Sequence, residues 1–150
     1  MPESVTTRHA LPNLYVGQAQ KEVTHNVALA RIDALLHPVV EDSLATPPAG
    51  LTLASDGLCW LISAGATGQW SGRSGQLARW SGGSWRYINA VEGMTIWHKI
   101  RGLRLFYIGA SWIVPTAIAD PATGSVMDIE ARATIVSILG YMRQISVLPV

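Results

Sequence analysis

The side chains able to do acid–base or metal chemistry are few and scattered. The four histidines, His9, His25, His37 and His98, share no metal-ligand spacing. Neither a His-Glu-x-x-His pair nor a paired-cysteine motif occurs, so no metal ligand is assigned. The one cysteine, Cys59, lies in the apolar run Leu58-Cys59-Trp60-Leu61-Ile62, where a buried structural thiol is expected instead of a nucleophile. No Gly-x-Ser-x-Gly elbow is present, and the glycines from Gly65 to Gly75 lack both the Gly-Lys-Ser/Thr ending of a P-loop and the dinucleotide-binding pattern. Glycoside hydrolysis needs two carboxylates, yet Glu92 is the one acid between residues 58 and 114. No catalytic residue and no cofactor site are therefore assigned, and an enzyme is not expected.

The aromatic residues are the other group with binding chemistry. The sequence has six tryptophans and a single phenylalanine. Exposed rings stack on sugar faces, but tryptophan also fills the core of a small β module that has few other large residues. Trp80, Trp85, Tyr107 and Trp112 are the candidate glycan-binding residues; such a site needs at least two rings facing solvent and near coplanar. Stacking on bases would require a basic groove. The net charge is only +1, so no nucleic-acid partner is expected. Arg73, Arg79, Arg86, Lys99, Arg101 and Arg104 crowd the middle third and are expected on solvated strand faces and turns.

Two helices and a β-rich middle must position these groups. Residues 1–17 form an irregular arm, broken at Pro12 and Gly17 and anchored by Leu11, Leu14, Tyr15 and Val16. A helix is expected over 18–37, within an assembly segment at 18–42. Val23, Ala28, Ile32 and Leu35 return on it at helical steps, with Val39 continuing the seam and Pro38 closing the regular helix. Thr46-Pro47-Pro48-Ala49-Gly50 marks a linker at 43–57. From about 58 to 114, short apolar runs alternate with Gly/Ser clusters, the pattern of antiparallel hairpins. Trp80-Ser81-Gly82-Gly83-Ser84-Trp85 repeats as Tyr107-Ile108-Gly109-Ala110-Ser111-Trp112. Each copy is read as a hairpin with positive-φ glycine in the turn and aromatics meeting across the strands. A second helix is expected from about 128 to 146 within the segment 120–150. It is capped by Ser125 or Asp128, and its stripe comprises Ile135, Ile138, Leu139, Met142 and Ile145. The expected class is α+β: a small antiparallel hairpin module flanked by an N-terminal and a C-terminal helix.

Hydrophobic residues make up 49% of the chain and charged residues 14%, against about 25% charged in an average soluble domain. Part of the apolar surface is therefore expected against other chains. The oligomerisation candidates are Val23, Ala28, Ile32, Leu35, Ile135, Leu139 and Met142. No run of about 18 apolar residues is present, so no membrane span is expected. The opening Met1-Pro2-Glu3-Ser4-Val5 lacks a signal-peptide pattern, which places synthesis in the cytoplasm.

The run from Ala10-Leu11-Pro12-Asn13-Leu14-Tyr15-Val16-Gly17 through Gln18-Ala19-Gln20-Lys21-Glu22-Val23-Thr24-His25-Asn26 resembles the opening of a family of uncharacterised domains. That family occurs in prophages and alphaproteobacterial gene transfer agents, often at the head of tail-fibre-like proteins. Ala28-Leu29-Ala30-Arg31-Ile32-Asp33-Ala34-Leu35, Gly65-Ala66-Thr67-Gly68-Gln69-Trp70, Arg79-Trp80, Gly83-Ser84-Trp85-Arg86 and Glu92-Gly93-Met94 are similar too. So is the helix at Asp128-Ile129-Glu130-Ala131-Arg132. The resemblance covers nearly the whole chain. It departs at Leu51–Leu58, where the family has a Pro-x-Gly-Asp-like entry to the first strand. The resemblance implies a virion or transfer-particle component near the tail fibre or host-attachment apparatus. Its implied partners are copies of itself (a homotrimer preferred), other tail or fibre proteins and cell-surface polysaccharide. It carries no catalytic residues.

Overall fold

A computed structural model describes residues 5–7, 9, 11–14, 21–120, 128–144 and 147–149. The expected helix start at residue 18, the Ser125 cap and Ile145 lie outside these residues. The chain divides into two compact units, Met1–Ala90 and Val91–Val150. The class is α+β, with eight strands among the described residues, between an N-terminal and a C-terminal helix. The two hairpin repeats of the β-rich stretch fall one in each unit.

In the first unit, helix α1 spans Lys21–Leu36. It ends ahead of Pro38, which has no N–H to donate and drives His37 out of the helical region. Beyond the helix lie two short strands, β1 (Val39–Val40) within the expected assembly segment and β2 (Ser43–Leu44) at the start of the stretch read as a linker. Val39 therefore belongs to a strand and cannot extend a helical seam. Strands β3 (Cys59–Ile62), β4 (Leu77–Ser81) and β5 (Ser84–Ile88) follow, and the sheet runs β2-β3-β4-β5. β2 lies parallel to β3, so the sheet is mixed and not purely antiparallel. Alternation along the strands gives this sheet two faces. One face carries Trp60, Ile62, Ala78, Trp80, Trp85 and Tyr87, with Trp70 delivered onto it by the β3–β4 loop. Trp85 sits at its centre, meeting Trp60, Trp70 and Trp80 edge to face at centroid distances of 5.5, 5.0 and 5.0 Å. The Tyr87 hydroxyl donates to the Gln69 carbonyl (2.8 Å) and Arg73 lies 3.9 Å over the Tyr87 ring, fixing the loop to the strand.

In the second unit, β6 (Thr95–His98), β7 (Leu103–Ile108) and β8 (Ser111–Ile113) form an antiparallel meander. Helix α2 spans Ile129–Gln144, and Asp128 caps it by accepting from the Ala131 N–H at 2.9 Å. Arg143 forks to the Asp120 carboxylate (2.8 Å) and the Ile118 carbonyl (2.6 Å), tying the segment after β8 to α2. The Val147 and Leu148 N–H groups both reach the Met142 carbonyl, which folds the apolar tail back and leaves Leu148 buried.

The two meanders are built alike down to their hydrogen bonds. Trp80 pairs with Trp85 and Tyr107 with Trp112, each pair flanking a two-residue turn. The turn residues have positive φ throughout: Gly82 57°, Gly83 77°, Gly109 59° and Ala110 61°. That is the requirement of a type I′ hairpin, whose twist matches that of the strands. At the entry to the first strand of each meander, Gly57 donates to Trp80 O and Gly93 to Tyr107 O, both at 2.9 Å. Trp80 N returns to Leu58 O (2.9 Å) and Tyr107 N to Met94 O (2.8 Å). The acid before each entry glycine accepts from the first turn residue: Asp56 from Gly82 N at 2.7 Å and Glu92 from Gly109 N at 3.1 Å. The departure at Leu51–Leu58 thus ends in the same Asp/Glu-Gly-Leu/Met entry used at Glu92-Gly93-Met94, preceded by a short 3-10 turn at Leu53–Ser55.

Candidate functional site

The most constrained polar cluster of the first unit joins the N-terminal arm, α1 and β4. Asp33 is wholly buried. Its Oδ1 accepts from the Thr6 hydroxyl (2.8 Å) and the His9 N–H (2.6 Å), and its Oδ2 lies 3.8 Å from Arg79 Nη2. Arg79 also donates to the Thr7 hydroxyl at 2.8 Å, and the Leu11 N–H donates to the Thr6 hydroxyl at 3.0 Å. Two turns earlier on α1, the Asn26 amide exchanges two bonds with the Leu14 backbone. The arm is thus pinned to the helix by polar groups; of the expected apolar anchors, Leu11 is half-buried and Leu14 exposed, and Tyr15 and Val16 lie outside the described residues. Arg79 is buried, against the expectation of a solvated strand face. It can be so because Asp33 faces it, since an unpaired guanidinium would not tolerate the desolvation.

This arrangement decides how α1 is oriented. Its inner face carries Asn26, Leu29, Ala30, Asp33 and Ala34, of which Leu29 alone is a large aliphatic. Most of its other aliphatic residues are turned out to solvent. Val23 is 61% exposed, Ile32 is 48% exposed, Ala28, Val27 and Leu36 are exposed, and Leu35 is half-buried. On α2, Ile135 is exposed, together with Ile129, Val136, Ile138 and Tyr141. Leu139 is buried within the chain's own fold, and Met142 is half-buried. Of the seven oligomerisation candidates, Val23, Ala28, Ile32 and Ile135 are therefore available to a partner, while Leu35 and Met142 are only partly so.

The four aromatic candidates fall into two pairs, one per unit, and all four rings are half-buried. Trp80 and Trp85 meet at 68° between planes, Tyr107 and Trp112 at 61°. Edge-to-face packing of this kind stabilises a hairpin by about 0.5–1.5 kcal/mol beyond area burial. It does not present two coplanar faces to a sugar within either pair. Cys59 is buried, as its apolar run requires.

Among the described residues, no group of three or more His, Cys, Asp or Glu side chains is placed to hold a metal ion. No helix among them is long and apolar enough to cross a membrane. No sequence signal singled out Asp33, although an acid inside Ala28-Leu29-Ala30-Arg31-Ile32-Asp33-Ala34-Leu35-Leu36 is the kind of interruption that marks a buried partner.

No curated protein matches the chain. Residues 25–113, more than half of its length, match the profile of the family described as protein of unknown function (DUF2793). The match covers most of α1 and every strand of both meanders, so it spans the buried Asp33–Arg79 node and the two hairpins together. The chain belongs to the DUF2793 family.

Proposed function

We propose that this protein is a non-catalytic structural subunit of a phage-like particle, close to its tail fibre or host-attachment apparatus, which assembles with copies of itself. The observation that carries this reading is the outward placement of aliphatic side chains on both helices, with Ile32, Leu36, Ile129 and Ile138 all exposed. A soluble monomer seldom leaves that much apolar surface on its helices. The resemblance to tail-fibre-like domains supports the particle, and the low charge content supports burial between copies. No catalytic step is needed: Glu92, the one acid within residues 58–114, is occupied as the cap of the Gly109 turn.

A homotrimer is the preferred stoichiometry. Light scattering behind size exclusion should give about three times the 16.1 kDa chain mass. Ile32→Asp places a charge on the outer face of α1 without touching the Asp33 node and should dissociate the oligomer. A wild-type protein that runs as a clean monomer at all concentrations would overturn the assembly reading.

A further inference from the structure

A groove of about 450 Å³ lies between α1 and the sheet face formed by β4 and β5 in the first unit. Small-molecule sites commonly span about 300–1,000 Å³, with mostly apolar walls and a few convergent polar groups. Here Val27, Ala30 and Ile88 form apolar wall, and Arg31, Arg79 and Arg86 supply the polar groups.

The charges in this groove do not balance. Arg79 and Arg86 stand directly opposite each other in the β4–β5 register, on the same face of the sheet. Like charges in that position destabilise a sheet. Asp33 compensates Arg79. Arg86 from β5 and Arg31 from α1 are exposed and have no hydrogen-bonding or ion-pair partner among the described residues. Two guanidinium groups that have no such partner among the described residues thus line one apolar-walled hollow from two different elements. The guanidinium fork matches the two oxygens of a carboxylate, which it binds more strongly than it binds neutral acceptors.

We propose that this groove binds an organic carboxylate, with the acid held by Arg31 and Arg86 and the body of the ligand against Val27, Ala30 and Ile88. The proposal is independent of the assembly reading, since it concerns one chain. The acid could come from an alkyl carboxylate or from a uronic acid of a glycan, which share this chemistry and differ in the body they present to the wall.

The test uses the full chain at fixed ionic strength, titrated with sodium hexanoate, sodium D-glucuronate and neutral D-glucose, and followed by thermal shift and NMR line positions. At least one acid should bind while glucose does not, and whichever acid is tighter identifies the source. Arg31→Gln and Arg86→Gln should each weaken that binding by about tenfold or more, the range for removing one charge-assisted hydrogen bond. Arg104→Gln, an exposed arginine outside the groove, should leave it unchanged. Circular dichroism confirms that each variant is folded. The proposal is overturned if neither acid binds, or if the Arg31→Gln/Arg86→Gln double variant is folded and binds as the wild type does.

Discussion

Replacing Asp33 with Asn keeps the shape of the side chain and removes only its charge, which makes it the cleanest probe of the node that holds the first unit together. Asn can still accept from the Thr6 hydroxyl and the His9 N–H, now as a neutral acceptor. Exchanging a charged for a neutral acceptor costs about 1 kcal/mol per bond. The Arg79 guanidinium, 6% exposed, loses its counter-charge 3.8 Å away. At an effective dielectric constant of about 20 that attraction is about 4 kcal/mol. Part of it was offset by burying both charges, and only the carboxylate's share returns on mutation. Measured losses on breaking such pairs run at about 3–5 kcal/mol, and we expect Asp33→Asn to fall in that range. Against a typical domain stability of about 5–15 kcal/mol, this approaches half of the total. Urea unfolding followed by tryptophan fluorescence reads it directly, because Trp60, Trp70, Trp80 and Trp85 pack on the opposite face of the sheet that carries Arg79. With a slope of about 2 kcal/mol/M, the midpoint should fall by about 2 M. The double variant Asp33→Asn/Arg79→Gln should cost less than the sum of the single changes, because the stranded charge is gone. A midpoint shift below about 0.5 M, or strict additivity in the double variant, would refute the claim that this pair organises the unit.

Three further outcomes test the paired meanders and the second helix by the same assay. Gly57 and Gly93 occupy equivalent entries with φ of 84° and 81°, but a Cβ at Gly57 would overlap Thr7 whereas one at Gly93 meets nothing within 4 Å. Gly57→Ala should therefore destabilise more than Gly93→Ala, which carries only the backbone cost of about 1–2 kcal/mol; equal losses would count against the arm lying where it does. Ala110, at φ 61° in the second turn, should become Gly with a gain of about 0.5–1 kcal/mol, and a loss would contradict the type I′ assignment. Asp128→Ala should cost about 1 kcal/mol by removing the cap on Ala131 N, and an unchanged midpoint would place the start of α2 elsewhere.

The parts legible in the sequence are those fixed by local chemistry. An aromatic, a two-residue turn containing glycine and a second aromatic leave a type I′ hairpin few alternatives, and both copies form it with their aromatics paired as read. Pro38 and Asp128 mark helix ends for equally local reasons. What escaped depends on distant partners. Arg79 on β4 reads like any charged strand residue until Asp33, many residues away on α1, is placed against it. The same pairing turned α1 over: periodicity located its aliphatic residues correctly but cannot say that the polar side would face inward. The two-residue strands β1 and β2 are too short to leave an alternating pattern. The boundary at Ala90 is hidden because the two meanders share one hydrogen-bonding plan, so the sequence looks continuous across it.

That shared plan also shows why the two units have different needs. In the first, the loop from β3 to β4 is long enough to carry Trp70 onto the sheet, where it is fully buried and completes a tryptophan core. In the second, β6 and β7 are joined by a tight turn in which the Gly102 N–H bonds back to His98 O and Lys99 O. A turn of that length cannot lay a large side chain over the meander. The second unit therefore starts from less core of its own, and units of that size are marginal without added support. Its helix still exposes Ile129 at 70% and Tyr141 at 62%. Hydrophobic surface that a unit cannot cover itself is the usual raw material of a subunit interface. On that reasoning the proposed assembly should stabilise the second unit more than the first. Dilution below the dissociation point of the proposed oligomer should raise hydrogen exchange in α2 before it does so in β3–β5. Simultaneous loss of protection in both would mean that the two units are equally self-sufficient.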